Sequence, residues 1–267
     1  MVAAVADVDA LGALPVGGLS PELTRQLIKQ TKALTNHSFS VNTFAYNIPS
    51  LDDANIVRLK EAYRSINALA EMSFPDSKIS PEEMTEEMLT PCSYVDQIQV
   101  FIEERIPIVS FTFGSLSVEE IKLLHNHNIV CMGTATCVKE ALHLKEIDVD
   151  VIIVQGSEAG GHSGAFLHPI NTLDISGIDT STVVGSNSGI GLMTLLIAAG
   201  GIYDGRGVSA ALTLGASGVQ MGSCFMQSKE SLAFPALKQK LAESSDVDTT
   251  YISGYSGRYA RGIMNEF

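Results

Sequence analysis

Val151-Ile-Ile-Val-Gln-Gly-Ser-Glu-Ala-Gly-Gly-His-Ser-Gly164 divides into two halves of opposite character. Its first four residues are all apolar and β-branched, a composition suited to a strand buried on both faces. The run then breaks, with no polar linker, into a glycine-rich loop that carries Gln155, Glu158 and His162. A strand with two buried faces belongs in a parallel sheet covered by helices on at least one side. Glycine removes the Cβ that would keep a flat ligand off the backbone, and an imidazole beside it titrates near neutral pH. The stretch therefore predicts both the type of sheet and a cofactor site at the carboxyl end of this strand.

The same alternation extends outward from it. Residues 93–104 suit a helix, 107–111 a buried strand, 117–127 a helix, 128–132 a strand and 136–146 a helix. Strand starts at 107, 128 and 151 lie about 22 residues apart, the spacing of βα units with right-handed crossovers. Toward the amino end, residues 1–6 resemble the end of a helix, 10–14 a short strand, 39–44 a strand and 51–69 a helix. Ser20-Pro21-Glu22 forms a helix start with Leu23, Leu27, Ile28 and Leu34 on its apolar face. Residues 71–91 are acidic and proline-punctuated, an inserted segment of short helices or loop. Residues 156–194 are rich in Gly, Ser, Thr and Asn, a length that implies a functional loop or a short helix within it. Beyond them, 195–199 and 218–221 read as strands, Asp204 caps a helix over 206–214 closed by Gly215, and 229–243 suggests one more helix.

Seven candidate strands alternating with helices predict a TIM (β/α)8-type barrel, with the place of its first strand falling ahead of Met1. An open doubly wound sheet is the runner-up, and no G-x-G-x-x-G follows the first strand to favour it. In such barrels the chemistry sits at the carboxyl ends of the strands, and phosphate is held by the loops after the last two. Ala199-Gly200-Gly201 and Met221-Gly222-Ser223 stand at those two points, where backbone N–H groups and a hydroxyl can cradle phosphate without a lysine.

Composition narrows the partners. A chain of 267 residues is the usual size for one α/β barrel, so residues 1–267 are expected to form one domain. The net charge of −13 leaves no basic stripe for a phosphate backbone, which excludes nucleic acid and favours small molecules. No apolar run approaches the roughly 20 residues of a membrane span. Cys92, Cys131, Cys137 and Cys224 are scattered without a CxxC pair, and no signal peptide is visible, the pattern of reduced thiols in a cytoplasmic protein.

Four motifs carry a family resemblance: Gln155-Gly-Ser-Glu-Ala-Gly-Gly-His162-Ser-Gly164, Ala198-Ala-Gly-Gly-Ile-Tyr-Asp-Gly-Arg-Gly207, Gly218-Val-Gln-Met-Gly-Ser223 and Ser256-Gly-Arg-Tyr-Ala-Arg-Gly262. Together they resemble the nitronate monooxygenase family, formerly 2-nitropropane dioxygenase. The resemblance implies an FMN-dependent flavoprotein that oxidises an alkyl nitronate or nitroalkane with dioxygen to a carbonyl compound and nitrite. Carried onto matching positions, it implies His162 as the active-site histidine and Asn42, Gln155, Gly160 and Gly161 beside the flavin. Gly200, Gly201, Gln220, Met221, Gly222 and Ser223 would hold its phosphate. The flavin-dependent enoyl-acyl-carrier-protein reductase of the same superfamily is the rival; Gln155, where that enzyme commonly carries Glu, favours the monooxygenase. The resemblance also implies a first strand and a C-terminal extension beyond residues 1–267. A barrel lacking a strand exposes two edges, so a truncated, non-catalytic paralogue that self-associates or leans on a partner chain is the reading from a different class.

The remaining polar residues have plainer readings. Glu158, in a glycine-rich turn, is expected to bond backbone N–H groups. His125 and His127 are two residues apart on a helix and point to different faces, with no acidic or cysteine partner at ligand spacing, so no metal is expected. Asp204 reads first as a helix cap; Arg258 and Arg261 receive no role.

Overall fold

A computed structural model describes residues 1–46, 52–70, 92–167, 179–189, 194–253 and 257–264. The expected inserted segment at 71–91 lies outside them, as do Ser256 and residues 168–178 and 190–193 of the long loop. In chain order the elements are α1 (Val2–Ala6), β1 (Ala13–Pro15), α2 (Pro21–Lys32), β2 (Ser40–Phe44), α3 (Asp53–Ala70), α4 (Tyr94–Glu103) and β3 (Ile108–Thr112). They continue with α5 (Val118–Asn126), β4 (Val130–Ala135), α6 (Val138–Glu146), β5 (Val151–Gln155), β6 (Gly161–His162), α7 (Thr180–Gly189) and β7 (Leu195–Ala199). α8 (Gly205–Thr213), β8 (Gly218–Gln220), α9 (Ser223–Met226), α10 (Pro235–Glu243), β9 (Thr249–Ile252) and β10 (Ala260–Ile263) complete them.

Seven strands form one curled parallel sheet in the order β1-β2-β3-β4-β5-β7-β8, a half-barrel of the TIM type. Each strand pairs with the next βα unit in sequence, as in Val41 opposite Val109 and Ile152 opposite Leu196. β1 and β8 are its two edges among the described residues, so the sheet does not close there.

The two faces of the sheet differ. Side chains alternate across a strand, so Val41, Val109, Phe111, Cys131, Ile152, Val154, Leu196 and Ala198 fall on the helix side. They pack into the main core with Ile28, Phe101, Ile121, Leu124 and Leu144 of the helices. Met132, Val151, Ile153 and Ala199 form the smaller inner core, with Ile108 and Ile197 packed against it. Val151 through Val154 are all buried, which bears out a strand covered on both faces. The inner layer thins toward the amino end, where Leu195 is 56% exposed.

Local chemistry explains where the elements differ from the sequence reading. Ser20 caps α2, accepting from the Leu23 N–H at 3.2 Å, with Pro21 in the first turn. The buried face of α2 is Thr24, Ile28 and Thr31 rather than a leucine stripe, and Leu23 and Leu34 lie exposed. The reason is Gln97, fully buried on α4, whose Nε2 donates to Thr24 Oγ1 and to the Val16 and Leu19 carbonyls; α2 turns a polar residue to meet it. β4 begins at Val130 because Asn128 adopts φ 57°, a left-handed turn conformation that asparagine tolerates. α10 starts only at Pro235, since the residue before proline is driven out of the helical region.

A second sheet, β6-β10-β9, is antiparallel and was not anticipated. It pairs Ala260 with His162 and Arg261 with Gly161, laying the C-terminal hairpin over the loop after β5.

Candidate functional site

The loop that follows β5 is braced from within by Gln155. Its Nε2 donates to the His162 carbonyl at 3.0 Å and its Oε1 accepts from the Gly164 N–H at 2.7 Å. One amide thus fixes the backbone on both sides of His162. A Cβ on Gly164 would lie 2.8 Å from both Thr112 Oγ1 and Thr134 Cγ2, so the loop closes tightly over the carboxyl end of the inner sheet face.

From outside, the C-terminal hairpin holds the same loop. The Tyr251 hydroxyl and Arg261 Nε both donate to the Ser157 carbonyl, Arg261 at 3.0 Å. Arg261 also stacks over the Tyr251 ring, 4.5 Å from its centroid. Arg261 therefore has a positioning role that spacing alone could not reveal, because its acceptor is 104 residues away.

Glu158 behaves as the sequence suggests. Both carboxylate oxygens accept from the Thr180 N–H, at 2.9 and 3.2 Å, at the start of α7. Thr180 Oγ1 in turn donates to the Ala199 carbonyl at 2.9 Å, tying α7 to the end of β7. Gly200, at φ 123°, is required by this packing, since a Cβ there would meet Thr180 Oγ1 at 2.7 Å. Gly201, at φ 65°, lies over Glu158.

These contacts bring the loops after β5, β7 and β8 together. A Cβ on Gly160 would stand 2.7 Å from Ser223 Oγ. Ala199 pairs with Gln220. His162, Gly160, Gly161, Gly201, Gln220, Gly222 and Ser223 are exposed on this rim, with Met221 half-buried among them. Gly161 and Gly222 face open space, with nothing within 4 Å of a Cβ built on either. Asn42 stands apart, three strands along the sheet from β5, where its Nδ2 donates to Ser110 Oγ at 2.9 Å.

One wall of the His162 site is aromatic. The Phe113 ring meets His162 edge-on at 5.9 Å and packs 4.9 Å from Phe44. Phe113 follows β3 and holds φ 67°, a conformation that costs a bulky residue about 1–2 kcal/mol. Beside it, Gly114 passes so close to the Ala45 carbonyl that any side chain would collide. Arg258 lays its guanidinium over Phe113, 4.7 Å from the centroid, and over Tyr46 at 5.8 Å, while its Nη1 donates to the Ala165 carbonyl at 3.4 Å. Burial pulls the Arg258 pKa below its ordinary value, against an opposing pull from Tyr46, and leaves it cationic at neutral pH.

A further carboxylate fastens the loop's far end. Glu140, fully buried at the third position of α6, accepts from Thr136 N and Oγ1 at 2.7 and 2.8 Å with one oxygen. Its other oxygen accepts from the Phe166 and Leu167 N–H groups at 2.7 and 2.9 Å. Nothing in the local pattern around Glu140 marks it, since acidic residues are ordinary in a first helical turn.

At the opposite, amino end of the sheet, His125 has the acidic and cysteine neighbours that its place in the sequence did not show. Asp150 Oδ2 accepts from the Cys131 N–H at 2.7 Å and meets His125 Nε2 at 2.9 Å, and the three potential ligand atoms lie within 4.8 Å of one another. The strand pairing brings β4 and β5 side by side and so supplies both partners that the linear spacing lacked. Desolvation, with help from Asp150, pushes the Cys131 thiol up to about 12, which keeps it protonated.

The sequence model of the nitronate monooxygenase family matches residues 1–267. A probable nitronate monooxygenase of Staphylococcus aureus (strain MSSA476) is 37% identical over 267 residues, all of this chain and 72% of the relative. A crystal structure of nitroalkane oxidase from Streptomyces ansochromogenes superposes with a TM-score of 0.81 at 28% identity, covering 99% of this chain and 72% of that one. FabK from Thermotoga maritima superposes at 0.69 with 27% identity, covering 98% and 66%. The chain belongs to the nitronate monooxygenase family of oxidoreductases.

Proposed function

We propose that this protein binds FMN over the rim formed by the loops after β5, β7 and β8 and oxidises alkyl nitronates with dioxygen to a carbonyl compound and nitrite. The observation that carries the reading is His162. It is exposed at the carboxyl end of the barrel, on a loop whose backbone Gln155 fixes on both sides, next to a glycine with open space above it.

The residues present fit a flavin in one testable respect. Gly161 and Gly222 leave backbone open where a Cβ would stand, so a flat ring and a phosphate can approach. Gly200, Gly201, Gln220, Met221, Gly222 and Ser223 would hold the phosphate end, with Gly160 and Gly161 along the ring and Asn42 deeper on the inner face. Gln155 acts through the loop, since its amide is engaged by the His162 and Gly164 backbone. When bound, the flavin supplies redox chemistry that side chains cannot. His162 takes the proton from the carbon beside a nitro group, or donates a hydrogen bond to a nitronate oxygen. The Phe113 ring stands beside it, 5.9 Å away and at 78° to the imidazole.

The test is the visible spectrum of the purified chain with and without FMN, followed by anaerobic addition of a nitronate. Bleaching of bound flavin supports the reading, and His162→Ala should then slow turnover by about 10²–10⁴-fold. Flavin that bleaches only with NADH or NADPH favours the reductase, and a folded protein that ignores FMN rules out both enzymes.

A further inference from the structure

The aromatic wall beside His162 carries a charge that the family motifs leave without a task. We propose that Arg258 forms an anion-binding subsite that receives the paired oxygens of the substrate's nitronate head. The inference rests on the reading above in one respect, that the substrate enters as an anion.

Three observations converge on it. First, Arg258 and His162 share one ring: Phe113 meets the imidazole at 5.9 Å on its edge and the guanidinium at 4.7 Å. Second, the antiparallel register places them together. Ala260 pairs with His162, and the Ser163 N–H donates to the Tyr259 carbonyl at 2.8 Å, so Arg258 follows diagonally from His162 across the hairpin. Diagonal neighbours in such a pair lie within reach of long side chains. Third, Phe113 holds φ 67°, and the adjoining Gly114 admits no side chain, so the ring's place is held by the backbone at a strained position. Strain of this kind clusters at ligand clamps.

The chemistry fits a planar anion. A guanidinium is a flat fork of N–H donors that matches two oxygens on one centre, and a nitronate presents that geometry as a carboxylate does. The chain's net charge of −13 repels an anion at long range, so recognition must come from a local cation. The Phe113 and Tyr46 faces hold the guanidinium plane in a partly desolvated position, where a charge-assisted bond is stronger than in water.

Nitrate, a planar oxyanion, is the probe for binding, and ethylnitronate against neutral nitroethane is the probe for turnover. Calorimetric titration of the full chain should show nitrate affinity falling about 10- to 100-fold in Arg258→Gln and less in Arg258→Lys, which keeps the charge but loses the fork. The KM for ethylnitronate should rise by a similar factor, while that for nitroethane moves less than about twofold. Equal nitrate binding in wild type and Arg258→Gln overturns the subsite, as does a KM that rises equally for anion and neutral substrate, the mark of a displaced loop. If Arg258→Gln fails to fold, Arg258→Lys alone decides by the same charge-selective comparison. Nitrate that depends on Arg258 in a chain with no nitronate turnover would leave the subsite standing and remove the proposed reaction. Nitronate turnover with an unchanged KM in Arg258→Gln would do the reverse.

Discussion

Replacing Glu140 with Gln alters one buried atom and tests how the loop around His162 is held. The native carboxylate accepts four hydrogen bonds, two on each oxygen. A carboxamide keeps one oxygen and turns the other into a donor; turned toward Phe166 and Leu167 that donor faces two N–H groups, and turned toward Thr136 it faces one, because the Thr136 hydroxyl can rotate to accept. Each lost charge-assisted bond is worth about 1.5–3 kcal/mol. Leu167 is at the surface, so its N–H can turn to water and recover part of the cost. The expected loss is about 2–4 kcal/mol, a large fraction of the roughly 5–15 kcal/mol that holds a domain together. Urea unfolding should show the midpoint falling at constant slope, and hydrogen exchange should accelerate at the Phe166 and Leu167 amides. A loss under about 1 kcal/mol, with those amides still protected, would refute the role assigned to the carboxylate.

Four further outcomes follow from the geometry. Tyr251→Phe removes one of two donors on the Ser157 carbonyl and should destabilise by about 0.5–1.5 kcal/mol, with faster exchange confined to the β9–β10 hairpin and its loop; global unfolding of the variant would contradict this. Gly114→Ala forces a methyl into the Ala45 carbonyl and should cost more than about 2 kcal/mol in denaturant unfolding, whereas an unchanged midpoint would mean the backbone there yields freely. Burial, the main cause in each case, raises Cys131 from 9.0 and Tyr94 from 10.0, both to about 12. The unfolded chain then sheds these protons first, so stability is full below about pH 9 and falls as pH climbs toward 12. Denaturant midpoints across that window check the sign. A thiol reagent at pH 8 should reach exposed Cys224 and spare Cys131 until the protein unfolds.

The order of elements was legible because it is written in short-range patterns. An all-β-branched run from Val151 to Val154 can only rest in a strand covered on both sides, and regular spacing between such runs implies parallel neighbours. Ser20 with Pro21 and Asp204 before Gly205 fix helix starts by bonds reaching two or three residues, so they too needed no tertiary context. Leu23 and Leu34 were misjudged because hydrophobicity alone cannot foresee a buried glutamine such as Gln97 on another helix.

At the site, composition and motif marked the glycine loop, His162 and the strand ends, since their chemistry lies in residue type and local spacing. What holds and walls that loop was decided by tertiary structure alone. Tyr251 and Arg261 reach Ser157 across about a hundred residues, and Glu140 reaches Phe166 across 26. Phe113, His162 and Arg258 meet only after β3, β5 and the C-terminal hairpin are folded together. Local propensity acts over a helical turn or a strand pair, so the sequence determined the elements and the glycine-rich loop. The long-range contacts that orient them arise only when the sheet curls and the hairpin closes over its carboxyl end.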